Sequence, residues 1–122
     1  MSSPPGGAVI ALKDAVDLLH KFITESTKVQ AVTFMPLSGT RSFILGIVKS
    51  GPEGLVTVID GNAPSSPRIS FDPRLAAVIR YGDQRVLPKD ALPGMFERTF
   101  VSGLTFLFPD NSMVALFECA PE

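Results

Sequence analysis

Three apolar, β-branched runs follow one another between Val29 and Asp60, and they limit the folds that this chain can adopt. The runs cover residues 29–35, 43–48 and 55–59. Segments rich in Val, Ile, Thr and Phe that are bounded by Gly, Pro and Ser are typical of β-strands. The connections are too short for the crossover helix that parallel neighbours require. The sequence therefore predicts three antiparallel strands joined by tight turns.

The second of these runs is apolar on both faces of the predicted strand. Phe43, Leu45 and Ile47 alternate with Ile44 and Val48. A strand with one solvated face would alternate apolar and polar residues, so we expect both faces to be covered, one by a helix or another subunit. Gly46 interrupts the run, and a glycine inside a strand indicates a bulge, a sharp bend or the close approach of another backbone.

Residues 8–27 have the periodicity of an amphipathic helix. The apolar stripe contains Val9, Leu12, Val16, Leu19 and Ile23 at alternating spacings of three and four, and neighbouring alanines, Leu18 and Phe22 widen it. Ile10 is the one apolar residue on the polar side of the helical wheel. A stripe this wide predicts a helix that lies flat on a sheet or plugs the end of a barrel.

The remaining segments give one clear strand pair and one ambiguity. Residues 104–108 and 113–118 flank the turn sequence Pro109-Asp110-Asn111-Ser112 and predict a C-terminal β-hairpin. Residues 73–82 are compatible with a short helix capped by Asp72 or with a strand. We favour the strand, turning at Gly82-Asp83-Gln84 into residues 85–87, because Gly-Asp is turn chemistry.

Length and charge limit the classes of protein to which this chain can belong. The chain has 122 residues and a net charge of −1, which suits one domain and gives no general attraction to DNA or anionic membranes. Residues 1–7, rich in Ser, Pro and Gly, are expected to be a disordered lead-in to a single domain over 8–122. The N-terminus lacks the basic region of a signal peptide and no run is long enough to span a membrane, so we expect a cytoplasmic protein.

Residues of the types that act in catalysis or bind zinc are scarce. The chain has one histidine, His20, and one cysteine, Cys119. His20 falls on the polar side of the helix near Asp17, and Cys119 falls in an apolar run, so neither has the partners that a catalytic triad or a zinc site requires. We expect no enzymatic activity, no metal and no cofactor.

Two stretches resemble the signatures of the Sm-like small β-barrel family. Residues 32–48 are similar to the first signature, in which apolar alternation leads to a turn glycine, an aromatic residue and a strand glycine. Residues 78–86 are similar to the second, although Tyr81 separates the arginine and glycine that the family places together. The resemblance covers residues 8–90 and leaves residues 91–122 as a hairpin extension. It implies a ring-forming RNA-binding protein whose RNA contacts would include Arg80 and Gly82; Tyr81 and Arg85 lie beside them.

The sequence therefore predicts an α+β domain with an N-terminal amphipathic helix packed on a mainly antiparallel, strongly bent sheet or small β-barrel. The apolar excess on the strands favours a non-catalytic module that forms homo-oligomers or binds another protein, since exposed apolar strands usually find a partner. The alternative is an Sm-like RNA-binding ring with an RNA site at Arg80, Tyr81, Gly82 and Arg85.

Overall fold

One helix and eight strands make up the fold in a computed structural model that describes residues 8–61, 63–83 and 100–119. The elements are β1 (Ala8–Val9), α1 (Leu12–Thr24), β2 (Lys28–Met35), β3 (Thr40–Ser50), β4 (Val56–Ile59), β5 (Arg68–Phe71), β6 (Val78–Asp83), β7 (Phe100–Leu107) and β8 (Met113–Cys119). Single 3₁₀ turns lie at Pro52–Gly54 and Pro73–Leu75. The predicted lead-in, residues 1–7, falls outside the described residues.

The strands form one antiparallel sheet in the order β1-β6-β7-β8-β2-β3-β4-β5. The predicted α+β class and the meander β2-β3-β4 are confirmed. The barrel alternative is wrong, because the described sheet is open: β1 and β5 end it without pairing with each other. The C-terminal hairpin is also confirmed, and it lies at the centre of the sheet, where β7 pairs with β6 and β8 pairs with β2.

The helix is shorter than predicted. Ala8 and Val9 pair with Tyr81 and Arg80 of β6 as a short strand, and the Ile10 N–H donates to the carbonyl oxygen of Ile79 (2.9 Å). The first predicted helical turn is therefore wrong, and Ile10 breaks the helical pattern because it precedes the helix.

The helix ends at Thr24, before the predicted end at residue 27, and the backbone of residues 26 and 27 closes its last turn. The Thr27 N–H donates to Phe22 O (3.0 Å) and the Ser26 N–H to Ile23 O (3.3 Å), while Ser26 has a φ of 50°. This is the Schellman arrangement, in which a left-handed residue closes the last turn. The short connection to β2 then lays α1 on the sheet.

The core lies between α1 and one face of the sheet, which we call the helix face. Alternate strand residues on this face are buried together with Ala15, Leu19 and Phe22 of α1. The strand residues are Val29, Ala31, Val48, Val56, Val58, Phe71, Ile79, Leu104, Phe106, Val114 and Leu116. Phe71 and Phe106 pack with their ring centroids 4.9 Å apart.

The opposite face, which we call the distal face, carries apolar residues as well. Val32, Ala115 and Phe117 are buried there, beside Gln30, whose side-chain oxygen is buried without a hydrogen-bond partner. Phe34, Phe43 and Leu45 continue this face toward the β2–β3 turn and are more exposed. The expectation that both faces of β3 need cover is therefore met along only part of the strand.

Segment 73–82 combines features of the two predicted alternatives. Asp72 accepts a hydrogen bond from the Arg74 N–H (3.0 Å) and caps the single turn Pro73–Leu75, after which β6 begins. The strand is confirmed, but the predicted turn at Gly82-Asp83 is wrong. Gly82 and Asp83 pair with Gly103 and Ser102 of β7 as part of β6, so pairing overrides the local turn preference. Residues 85–87 lie outside the described residues.

Candidate interaction surface

The residues able to carry out chemistry are dispersed. His20 is exposed on α1, and Cys119 is half-buried at the end of β8, with its Sγ 4.0 Å from Phe117 O. No group of three His, Cys, Asp or Glu side chains in the described residues is placed to hold a metal ion. We therefore consider the surfaces of the described chain as candidate sites.

The residues predicted to bind RNA lie on β6 but face different ways. Arg80 pairs with Thr105 on the distal face, whereas Tyr81 pairs with Leu104 on the helix face and packs against the core. Gly82 lies opposite Gly103, and Arg85 lies outside the described residues. Since neighbouring strand residues point to opposite faces, Arg80 and Tyr81 do not form one stacking platform. The RNA site itself stays a prediction.

Exposed apolar side chains concentrate on the β2–β3 hairpin. Nine large apolar side chains of the described residues are exposed: Val9, Leu12, Val16, Met35, Leu37, Phe43, Ile47, Leu75 and Leu107. Four of them lie between Met35 and Ile47, with Leu37 at 99% and Phe43 at 42% exposure. Scattered exposed apolar residues are normal, and their concentration on one element makes the hairpin a candidate interaction surface.

The two halves of β3 have different neighbours. The outer half, Thr40–Leu45, pairs with β2 alone among the described strands. The inner half, Ile47–Ser50, pairs with β4. Gly46 lies between them, where a Cβ atom would stand 2.6 Å from the carbonyl carbon of Ile59. Of the three interpretations of this glycine, the close approach of another backbone is therefore confirmed.

In the outer half, the backbone N–H and C=O groups of successive residues point alternately toward β2 and toward the opposite side, where no described strand pairs. At the far end of β3, the Gly51 N–H donates to Leu55 O of the β4 side (2.8 Å). Every second residue of an antiparallel strand bonds to the same side. Counting back from Gly51 along the uninterrupted register, Arg41, Phe43 and Leu45 direct their N–H and C=O groups away from β2.

The two end strands of the sheet are protected in ways that the outer half of β3 is not. β1 has only two residues, and β5 has four between Pro67 and Pro73. Short strands and flanking prolines are common defences against edge-to-edge association. The outer half is longer, contains no proline or lysine, and carries Phe43. It is therefore the described edge best suited to accept another strand.

Arg41 is the one charged side chain of the outer half. Its guanidinium carbon lies 5.4 Å from the centroid of the Phe34 ring on the distal face. Val32, Phe34, Arg41 and Met113 line a shallow hollow of about 160 Å³ at this place. A cation over an aromatic ring keeps its charge while shielding apolar surface. The positive charge thus lies among apolar side chains beside the exposed edge.

A second concave surface lies between α1 and the β3–β4 turn. This helix groove, of about 170 Å³, is lined by residues that include Val16, His20, Ile23, Leu55 and Pro73. Pockets for drug-sized ligands usually measure roughly 300–1,000 Å³. The helix groove is large enough for an apolar side chain and too small for most cofactors.

Arg74 connects Asp72 to the turn Pro52–Gly54 beside the helix groove, which Pro73 and Gly54 line. Arg74 donates to both carboxylate oxygens of Asp72 (2.9 Å each) and to the carbonyl oxygen of Glu53 (2.8 Å). The hydrogen bond from the Arg74 side chain is the main cause that lowers the pKa of Asp72 below its usual value. These contacts fix the β3–β4 turn relative to the start of β6.

No protein-family model, no curated protein and no solved structure matches this chain. Within the described residues, no helix combines the length and the hydrophobicity needed to span a membrane. The fold and the surfaces described above are therefore the basis on which a function can be proposed.

Sequence reasoning missed the exposed edge, although part of its signal is present. Residues 36–42 are predicted as a connection, whereas the turn takes only residues 36–39 and β3 already begins at Thr40. Gly39, with a φ of 70°, is the residue that closes this turn. The left-handed preference of glycine could have placed the end of the turn at residue 39.

Proposed function

We propose that this protein is a non-catalytic module that forms oligomers or binds another protein through its β2–β3 hairpin. The observation that carries the proposal is the outer half of β3, which combines the exposed side chain of Phe43 with backbone groups directed away from β2 in the same six residues. A strand edge that no described strand covers is a template for a further strand.

The exposure of Met35, Leu37 and Phe43 supports the same conclusion from the side chains. Each lies on or beside the hairpin, and each is at least 42% exposed. A partner that covers them would remove apolar surface from water at roughly 25 cal/mol per Å². Backbone pairing and apolar burial would thus act together at one place.

Solution mass measured by light scattering tests the proposal. We expect a mass of at least twice 13.0 kDa for the wild type, and a lower mass for Phe43→Ser. The matched control is Leu75→Ser, which removes a side chain that is 64% exposed and lies away from the hairpin. We expect this control to keep the wild-type mass.

A wild-type monomer at all concentrations would contradict an oligomerising function. A mass of roughly six or seven chains would instead favour a ring, and the next experiment would be a titration with single-stranded RNA. Affinity that falls with salt and is lost in Arg80→Ala would then replace our proposal with the RNA-binding alternative.

A further inference from the structure

We propose that the outer half of β3 pairs antiparallel with the same segment of a second copy of this chain, around a two-fold axis at Ser42. This inference rests on the proposed function and deepens it. The function requires a partner on the β2–β3 hairpin, and the inference identifies that partner and the register of the contact.

The backbone of the outer half fits this register. With Ser42 opposite Ser42 of the second copy, Arg41 lies opposite Phe43 of the second copy, and the two-fold axis repeats the pair. Arg41 and Phe43 are residues whose N–H and C=O groups point away from β2. They are therefore the residues that exchange hydrogen bonds across a new antiparallel ladder, two bonds for each pair.

The side chains favour a second copy as the partner. Arg41 is the only charged residue in Thr40–Leu45, and on the distal face it would meet Phe43 of the second copy. Opposed cationic and aromatic side chains attract each other, whereas like charges directly opposite destabilise a sheet. Arg41 already makes a contact of this kind with Phe34. The segment is thus complementary to itself.

The symmetry of the contact limits the assembly. An antiparallel pair of identical strands uses the same surface on both copies, so it closes at two chains. The dimer would join the two sheets through the outer halves of β3 and leave only the short strands β1 and β5 as edges among the described strands. This arrangement removes the longest exposed edge described above without creating a filament.

Two substitutions of opposite charge at residue 43 test the register. Phe43→Lys places an ammonium group opposite Arg41 of the second copy, and we expect the dimer dissociation constant to rise about tenfold or more. Phe43→Glu removes the same apolar surface but places a carboxylate opposite Arg41, and we expect dimerisation to be retained. The measurement is light scattering over a dilution series, with circular dichroism and thermal unfolding to verify the fold of each variant.

The outcomes separate the inference from the proposed function. Dimer loss in Phe43→Lys with retention in Phe43→Glu supports the strand pair at this register. Equal weakening of both variants overturns the register, although a hairpin interface and the proposed function stand. Wild-type association unaffected by both variants overturns the edge contact but leaves an oligomeric protein. A monomeric wild type overturns the inference together with the oligomerising function.

Discussion

The two halves of β3 belong to one strand but have opposite surroundings. In the inner half, Val48 is 1% exposed, lies on the helix face and belongs to a segment paired with β4. In the outer half, Phe43 is 42% exposed, and β2 is the paired strand on one side. Val48 packs in the core with α1 on the helix face and Phe43 lies on the distal face, which accounts for their different exposure. The end of β4 pairing at Ile47 accounts for a second difference, because it leaves the backbone edge of the outer half without a described neighbour. An apolar strand can thus serve as core along one part and as an interaction surface along the next.

The largest effect is expected at Gly46, where the two halves meet. Gly46→Ala should lower the free energy of unfolding by about 3 kcal/mol or more, because its Cβ would collide with the Ile59 carbonyl group and force the backbones apart. Denaturant titration measures the change.

Gly39→Ala provides the control for the loss of a glycine. Gly39 has a φ of 70°, and no neighbouring atom lies within 4 Å of the point where an alanine Cβ would stand. Only the left-handed backbone is therefore strained, at about 1 kcal/mol. Equal costs for the two substitutions would mean that crowding at Ile59 does not separate the halves.

Truncations in the two halves should differ in their effect on stability. Val48→Ala leaves a cavity in the core and should cost about 2 kcal/mol. Phe43→Ala removes more atoms from an exposed position and should change the stability of the monomer by no more than about 0.5 kcal/mol. Denaturant titrations at low protein concentration make the comparison. A larger loss for Phe43→Ala would show that the outer half is part of the core.

Amide hydrogen exchange should resolve an alternation within the outer half. In dilute protein, the amides of Arg41 and Phe43 should exchange faster than those of Ser42 and Ile44, which point toward β2. Raising the protein concentration should protect Arg41 and Phe43 selectively. Uniform protection at every concentration would contradict an exposed edge.

The smallest effect is expected at the end of the inner half, where Arg74 holds the β3–β4 turn. Asp72→Asn should lower Tm slightly at neutral pH, because Arg74 depresses the pKa of Asp72. A carboxyl group whose pKa is lowered by folding stabilises the protein above its unfolded pKa, and this contribution is lost as the pH falls through the folded pKa. Thermal unfolding in strongly acidic buffer should therefore give the same Tm for both proteins, and a difference that persists there would exclude this electrostatic cause.

The sequence predicted those strands and turns whose formation depends on residues close together in the chain. The β-branched apolar runs of β2, β3 and β4 and the turn at Pro109–Ser112 are of this kind. The pairing of Ala8 and Val9 with β6 depends on residues about 70 positions away, and the same apolar residues also fit a helix. Likewise Gly82 and Asp83 have turn chemistry, yet β7 supplies a matching strand.

The candidate surface was harder to predict than the fold. The apolar excess on β3 indicates a partner, but the exposed edge depends on the end of β4 pairing at Ile47. No local pattern encodes the residue at which a neighbouring strand departs. Arg80 and Tyr81 illustrate the same limit, since the alternation of a strand separates residues that are adjacent in the sequence.

The central position of β8 has a consequence for synthesis in the cell. β2 pairs with β8, so Val29 meets Glu118, which follows it by 89 residues in the chain. Contacts this distant in sequence slow folding, because a long loop must close first. On the ribosome, β2 to β5 emerge early with one side of β2 still lacking its neighbour. We expect nascent chains that stop before Met113 to be cut readily by protease, and chains that include Cys119 to resist it.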